Sequence, residues 1–275
     1  MAVVKEIDII DTSFAHAAGM SWYNVPQFVK WVRGRDGRVP IRFFTDRSIG
    51  QVDNYPADVN VALLIEPITF DDTGYNICLG KLPQFKYALT YDAEFKQKLG
   101  YKGLLYAIGG CWLTPAQIGI HPKTKVCSLI ASEKMQTPGH RMRREIGMRY
   151  PGHLNLFGRA FGNYIPSKFT ALADFRFSVV AENSQVNDMF TEKLIDCFLT
   201  GTVPIYWGTE NLKNYFNMDG VLQFNTLEEL DRIMGSLHPD NYGKMLPAIQ
   251  DNFERALQYR VAEDRIFLDY PFLLP

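Results

Sequence analysis

The sequence has no Cys-x-x-Cys pair, no Asp-x-Asp triplet and no Asn-x-Ser/Thr sequon, and each absence removes a class of function. Its four cysteines, Cys78, Cys111, Cys127 and Cys197, are scattered through apolar stretches, which predicts buried free thiols and neither a zinc site nor a disulfide framework. Divalent cations want clustered carboxylates, so without the acidic triplet no metal is expected. The longest apolar runs, such as Val61–Ile65, fall far short of the roughly 20 residues of a membrane-spanning helix. The opening MAVVKEIDIID puts acids straight after its apolar start and lacks a secretory apolar region. A soluble, cytoplasmic protein with no transmembrane segment is the expectation. The net charge of −1 gives no basic field, so nucleic acid is not an expected partner. With 47% apolar and 21% charged residues, the chain can build an ordinary globular core.

What is present centres on residues 175–208, FRFSVVAENSQVNDMFTEKLIDCFLTGTVPIYWG. An apolar run (Phe177–Ala181) leads through a polar loop, Glu182–Asp188, to a stretch in which Leu194, Ile195 and Phe198 fall at helical spacing. Gly201 stops that helix, and a second apolar run, Val203–Trp207, follows. Strand, turn, helix, strand is the βαβ unit of a parallel sheet. Such a unit exposes a helix N-terminus where an anion is favoured. A lysine early in a helix needs something negative nearby, so Lys193 beside Glu192 suggests a bound diphosphate, with Glu182 at the end of the preceding strand.

The run ENSQ…TEKLIDCFLTGTVPIYWG closely resembles the signature of the α1,3-fucosyltransferase family, of the soluble bacterial or viral type. The resemblance implies an α/β fold of two Rossmann-like, doubly wound domains facing a cleft (the GT-B architecture), with GDP-fucose bound mainly by the second domain. It implies that Glu192 contacts the sugar or ribose and Lys193 the diphosphate, with Glu182 and Asn183 beside them. Met189 stands where the family usually has a tyrosine next to the donor, which leaves other donors, such as UDP-xylose or GDP-rhamnose, open.

Earlier in the chain, Ile7–Asp11, Ile41–Phe44 and Val59–Ile65 read as strands, and Ser21–Val32 reads as a helix through Trp22, Val25, Phe28, Val29 and Val32. Phe85–Thr90 is a further strand that runs through Tyr91–Glu94 into a loop. Residues 104–122 read as the crossing between domains, giving an acceptor-binding domain over 1–120 and a nucleotide-sugar-binding domain over 121–275, whose tail packs back on the first. In the second domain Lys125–Ser132 is a buried strand, followed from Pro138 by a helix carrying Arg141, Arg143 and Arg144. One arginine turned inward could clamp a diphosphate as a fixed, bidentate cation; the resemblance maps that role best to Arg141, with Lys134 second, and implies that the loop-like segment 152–164 lines the base and ribose pocket, with Arg159 a candidate there. Asn241–Tyr259 reads as one final helix.

Glu66 closes the strand Val59–Ile65 and precedes Pro67, a position where a carboxylate can be desolvated enough to act as a base. The resemblance implies that it takes the proton of the acceptor hydroxyl; Asp11, Asp71, Asp72 and Glu94 are the alternatives. The expected function is an inverting, metal-independent glycosyltransferase acting between a nucleotide-sugar donor and a glycan acceptor. The rival expectation is a nucleotide-sugar or glycan-binding module without catalysis.

Overall fold

A computed structural model of the protein describes residues 4–15 and 17–274. Met1–Val3, where the N-terminal pattern begins, and Pro275, the last residue of the tail, lie outside the described residues. The chain divides into two units, one of Met1–Ile108, Asn187–Met189 and Val261–Pro275, the other of Gly109–Val186 and Phe190–Arg260. The division falls at Ile108/Gly109, earlier than residue 120. Residues 109–122 pack with the second unit because Gly109 pairs with Thr191, and Gly119 N–H donates to the Leu199 carbonyl.

The first unit contains β1 (Lys5–Ile10), β2 (Val29–Val32), β3 (Val39–Thr45), β4 (Ala57–Leu63), β5 (Tyr87–Thr90) and β6 (Gly103–Leu105) in one parallel sheet, ordered β2-β1-β3-β4-β5-β6. Helices α1 (Thr73–Gly80) and α2 (Ala93–Leu99) cover it. The core gathers Phe44, Ile49, Ala62, Leu64, Tyr75, Phe85 and Phe95, apolar side chains at alternate strand positions and on one helix face. Two sequence expectations fail here. Ser21–Val32 is a turn followed by the short strand β2, because Pro26 cannot sit in a helix interior and Val29 and Trp31 are buried at strand spacing with Lys30 exposed between them. Tyr91–Glu94 does not remain a loop either, since the Asp92 side chain accepts the Phe95 N–H and starts α2.

The second unit contains β7 (Lys125–Ile130), α3 (Pro138–Arg149), β8 (Asn155–Phe157), α4 (Phe169–Leu172), β9 (Phe175–Ala181), α5 (Glu192–Phe198), β10 (Val203–Trp207), β11 (Leu222–Gln223), α6 (Leu227–Ser236), α7 (Pro239–Lys244) and α8 (Leu246–Leu257). Its parallel sheet runs β11-β10-β9-β7-β8. The segment 152–164 thus carries an edge strand, and the single helix expected over 241–259 is two, with Pro247 at the start of the second. Strands β9 and β10 are buried almost throughout, as a central strand between helical layers requires. All four cysteines are free and buried. Helix α9 (Ala262–Asp269) belongs to the first unit, where Glu263 accepts from Met20 N–H at 2.6 Å and Trp31 Nε1–H at 3.2 Å. No described helix is long and apolar enough to cross a membrane.

Candidate active site

In a doubly wound sheet, ligands gather beyond the carboxyl ends of the strands where strand order reverses. In the first unit the reversal lies between β1 and β3, and in the second between β7 and β9. The chemistry at these two edges differs.

At the first edge, the Asp11 carboxylate is fully enclosed and accepts from Ser13 N–H (2.7 Å), Phe14 N–H (3.1 Å) and the Thr45 hydroxyl (3.0 Å), with Arg33 at 2.8 Å. Its oxygens are thus already committed to partners within the protein. The neighbouring strand end carries Glu66, and the backbone there is held on all sides. Leu64 N–H donates to the Leu89 carbonyl (3.0 Å), the Tyr106 hydroxyl donates to the Leu64 carbonyl (2.7 Å), and the Tyr75 hydroxyl donates to the Glu66 carbonyl (2.9 Å). Asp46 Oδ1 accepts both Ile65 N–H (2.8 Å) and Glu66 N–H (3.2 Å). Glu66 itself is half-buried. A mobile turn glutamate would not have its backbone fixed this way, whereas a base must be held to act at a defined atom. Of the alternatives, Asp71 is paired with Arg47 at 2.5 Å, and Asp72 and Glu94 are exposed at helix starts.

At the second edge, three acids and three cations interlock. The Glu182 carboxylate, fully buried at the end of β9, accepts Thr191 N–H at 2.9 Å and the Thr191 hydroxyl at 2.7 Å. Lys193 Nζ donates to Thr191 Oγ1 (3.0 Å) and lies 3.5 Å from Glu182 and 3.3 Å from Glu192. Lys168 Nζ reaches Glu192 and Asp196 at 3.1 Å each and sits 4.2 Å over the Trp112 ring, while Trp112 N–H donates to Asp196 at 2.9 Å. The Asp196 Oδ2 contact is an ion pair out of hydrogen-bond alignment. Burial alone would raise the Glu192 carboxyl, but Lys168 and Lys193 outweigh it and hold Glu192 well below the usual range. Burial prevails at Asp196, which is pushed up.

Lys193 therefore already has its negative partners in the protein, in Glu182 and Glu192, and the first free amide before α5 is already met by Glu182. The start of α3 is likewise satisfied. Thr137 Oγ1 caps His140 N–H (3.3 Å), and Gly139 N–H donates to the Asn183 carbonyl (3.0 Å). Only glycine fits at 139, since a Cβ would collide with the Glu182 carbonyl oxygen. The amides at both helix starts are thus already bonded within the protein.

Among the expected arginines, the structure brings Arg143, not Arg141, into this network. Arg143 is buried, and its guanidinium donates to the Ala181 carbonyl and, at 3.3 Å, to Asn183 Oδ1, bracing the Glu182–Asn183 turn. Burial lowers its affinity for the proton, which Glu182 and Glu192 partly offset. Arg141 is exposed, with its guanidinium on the Met135 and Gln136 carbonyls (3.1 and 3.3 Å), and Lys134 is exposed beside it. Arg159 is exposed and stacks its guanidinium 5.3 Å from the Tyr164 ring centroid. Met189 is buried and falls, with Asn187 and Asp188, in the first unit. His140, ringed by Arg143, Lys134, Lys193 and Arg141, is held neutral. Burial first and these cations second lower its pKa to about 4.

Sequence reasoning missed Arg143, Lys168, Asp196 and Asp46. Asp196 could have been noticed, since with Glu192 it places acids four apart on one helical face.

A profile described as "Glycosyltransferase family 10 (fucosyltransferase) C-term" matches residues 120–244. The mouse (Mus musculus) 4-galactosyl-N-acetylglucosaminide 3-alpha-L-fucosyltransferase 9 is 33% identical over 95 residues, 32% of this chain and 26% of that protein, so the match spans about a quarter of the relative's length. An alpha1,3-fucosyltransferase crystal structure with GDP-fucose aligns over 94% of this chain and 90% of its own, with TM-score 0.58 and 15% identity. Anabaena Alr3699/HepE in complex with UDP-glucose aligns over 98% and 99%, with TM-score 0.62 and 8% identity. The chain therefore resembles the α1,3-fucosyltransferases in sequence within its second unit, and its two parallel sheets have the GT-B glycosyltransferase fold.

Proposed function

We propose that this protein is an inverting glycosyltransferase that moves L-fucose from GDP-fucose to a hydroxyl of a glycan acceptor without a metal ion. The observation that carries the reading is the fucosyltransferase match over residues 120–244, the stretch that holds the acid–cation network. The half-buried Glu66 takes the acceptor hydroxyl proton as the acceptor oxygen bonds to the anomeric carbon. The bond from that carbon to the diphosphate breaks, and its electron pair leaves on GDP. Lys193, aided from the exposed start of α3 by Arg141 and Lys134, offsets the charge that develops on the leaving group. Glu192, kept ionised by Lys168 and Lys193, accepts hydroxyl hydrogen bonds from the ribose or sugar. Asn183 and Arg143 fix the turn on which this depends, and Arg159 borders the base and ribose pocket.

The test is turnover of GDP-fucose against a glycan acceptor panel, with the anomeric configuration of the product read by NMR. Transfer with inversion is expected. Transfer from UDP-xylose or GDP-rhamnose in place of GDP-fucose would reassign the donor, with Met189 the residue to examine. Thermal shifts against the same nucleotide sugars, read beside turnover, separate a binding module from an enzyme: a ligand at 100 times its Kd stabilises by about 2.7 kcal/mol whether or not it reacts, so a shift without transfer marks a module that only binds.

A further inference from the structure

Asp46 ends β3 in the left-handed region, with φ +40°. Left-handed backbone is costly for a side chain with a Cβ and persists where the surroundings impose it, often next to a functional group. What the conformation achieves here is visible in the hydrogen bonds. The carboxylate is buried against the end of β4, with Oδ1 accepting Ile65 N–H at 2.8 Å and Glu66 N–H at 3.2 Å while Oδ2 accepts the Ser13 hydroxyl. All three donors are neutral, so among the described residues this buried acid has no paired cation, an expensive arrangement if filling space were its purpose. The backbone of Asp46 is itself wedged by Gly74, where a Cβ would come within 3.0 Å of the Asp46 carbonyl carbon.

We propose that Asp46 is a positioning residue that aims the Glu66 carboxylate at the acceptor hydroxyl by clamping the two amides that precede the Glu66 side chain. The proposal rests on Glu66 being the base. The requirement is for an acceptor oxygen at Oδ1, not for a charge. Because the Asp46 carboxylate is buried and spent on these three donors, its loss is expected to leave donor binding alone and misplace the base, and a misplacement of about 1 Å is worth on the order of 10² in rate.

Asp46→Gly and Asp46→Asn separate these roles. Glycine removes the carboxylate while relieving the left-handed backbone, and asparagine keeps an acceptor oxygen and tolerates that conformation. The expected result is a loss of roughly 30- to 300-fold in kcat for D46G with Kd for GDP-fucose unchanged, and rescue to within about threefold of the native rate by D46N, with the Glu66 amide still protected from hydrogen exchange. Near-native kcat in D46G overturns the proposal. So does a loss of tenfold or more in D46N, which decides the matter even if D46G does not fold. Glu66→Gln is assayed in parallel. If it retains kcat, the reading of Glu66 as base fails, whereas an inactive E66Q beside a fully active D46G removes only Asp46 from the account.

Discussion

The two sheets of this protein share one topology and carry opposite chemistry at the same place. In each, the second strand lies outside the first and the third begins the other half of the sheet, so strand order reverses once and the carboxyl ends there are open. The first sheet puts Asp11, Asp46 and Glu66 at that edge, with the Asp46 carboxylate bonded, among the described residues, to neutral donors and Glu66 on a backbone with its amide and carbonyl both bonded. The second puts three acids among three cations, Glu182, Glu192 and Asp196 with Arg143, Lys168 and Lys193. On the proposed reading, the first edge takes a proton and the second exchanges one anion for another. Fold alone distinguishes neither; the side chains on the strand ends do.

The sharpest way to break this contrast is Glu66→Gln. General-base catalysis contributes about 10² to 10⁴ in rate, so kcat should fall by that factor while affinity for the nucleotide sugar stays constant. Steady-state kinetics beside calorimetric Kd values would show it. The reciprocal change, Glu192→Gln, should weaken the donor instead. Next in size is Lys193→Ala. Charge-assisted hydrogen bonds contribute about 1.5–3 kcal/mol, so Kd for GDP should rise roughly 10- to 100-fold. Unchanged calorimetric affinity would remove Lys193 from the site.

A smaller effect is expected in stability. His140 is held to a pKa of about 4 in the folded protein, against about 6.5 in an unfolded chain. Its depressed value means that the native state resists protonation. The associated stability is complete above pH 6.5 and is lost as pH falls through 4. Urea unfolding between pH 4 and 7 should show that part of the slope flattened in His140→Gln, the acidic side chains being common to both proteins. Smallest is the response to chelation. Turnover in excess EDTA should equal that without it, and a loss restored by Mn²⁺ or Mg²⁺ would contradict the metal-free step.

How much of this was legible in the sequence follows from the range over which each feature is determined. Strand β10 was readable residue for residue, because a fully buried parallel strand is a short apolar run and this one lies between Gly201 and Gly208. The helix expected over Ser21–Val32 was not, since Trp22, Val25 and Phe28 happen to fall at helical intervals while Pro26 and the pairing of Val29–Val32 with β1 decide otherwise. Four arginines lie between 141 and 149, and the sequence does not say which one turns inward. The close packing of Gly139 on Glu182 sets that rotation and selects Arg143. Lys193 was recognised as needing a negative partner, but Glu182 meets that need from eleven residues earlier, across a loop whose path the sequence does not specify. Asp46 was beyond reach for the same reason, because its partners are 19 and 20 residues away and its backbone conformation exists only in the assembled sheet.

The most direct measurement of where the donor sits is hydrogen–deuterium exchange with and without GDP-fucose. Slowed exchange is expected to centre on peptides covering residues 131–144 and 181–198, the two segments that meet at the β7–β9 edge. Protection confined to residues 5–14 and 39–50, at the edge of the first sheet, or no protection at all at saturating GDP-fucose, would contradict that expectation.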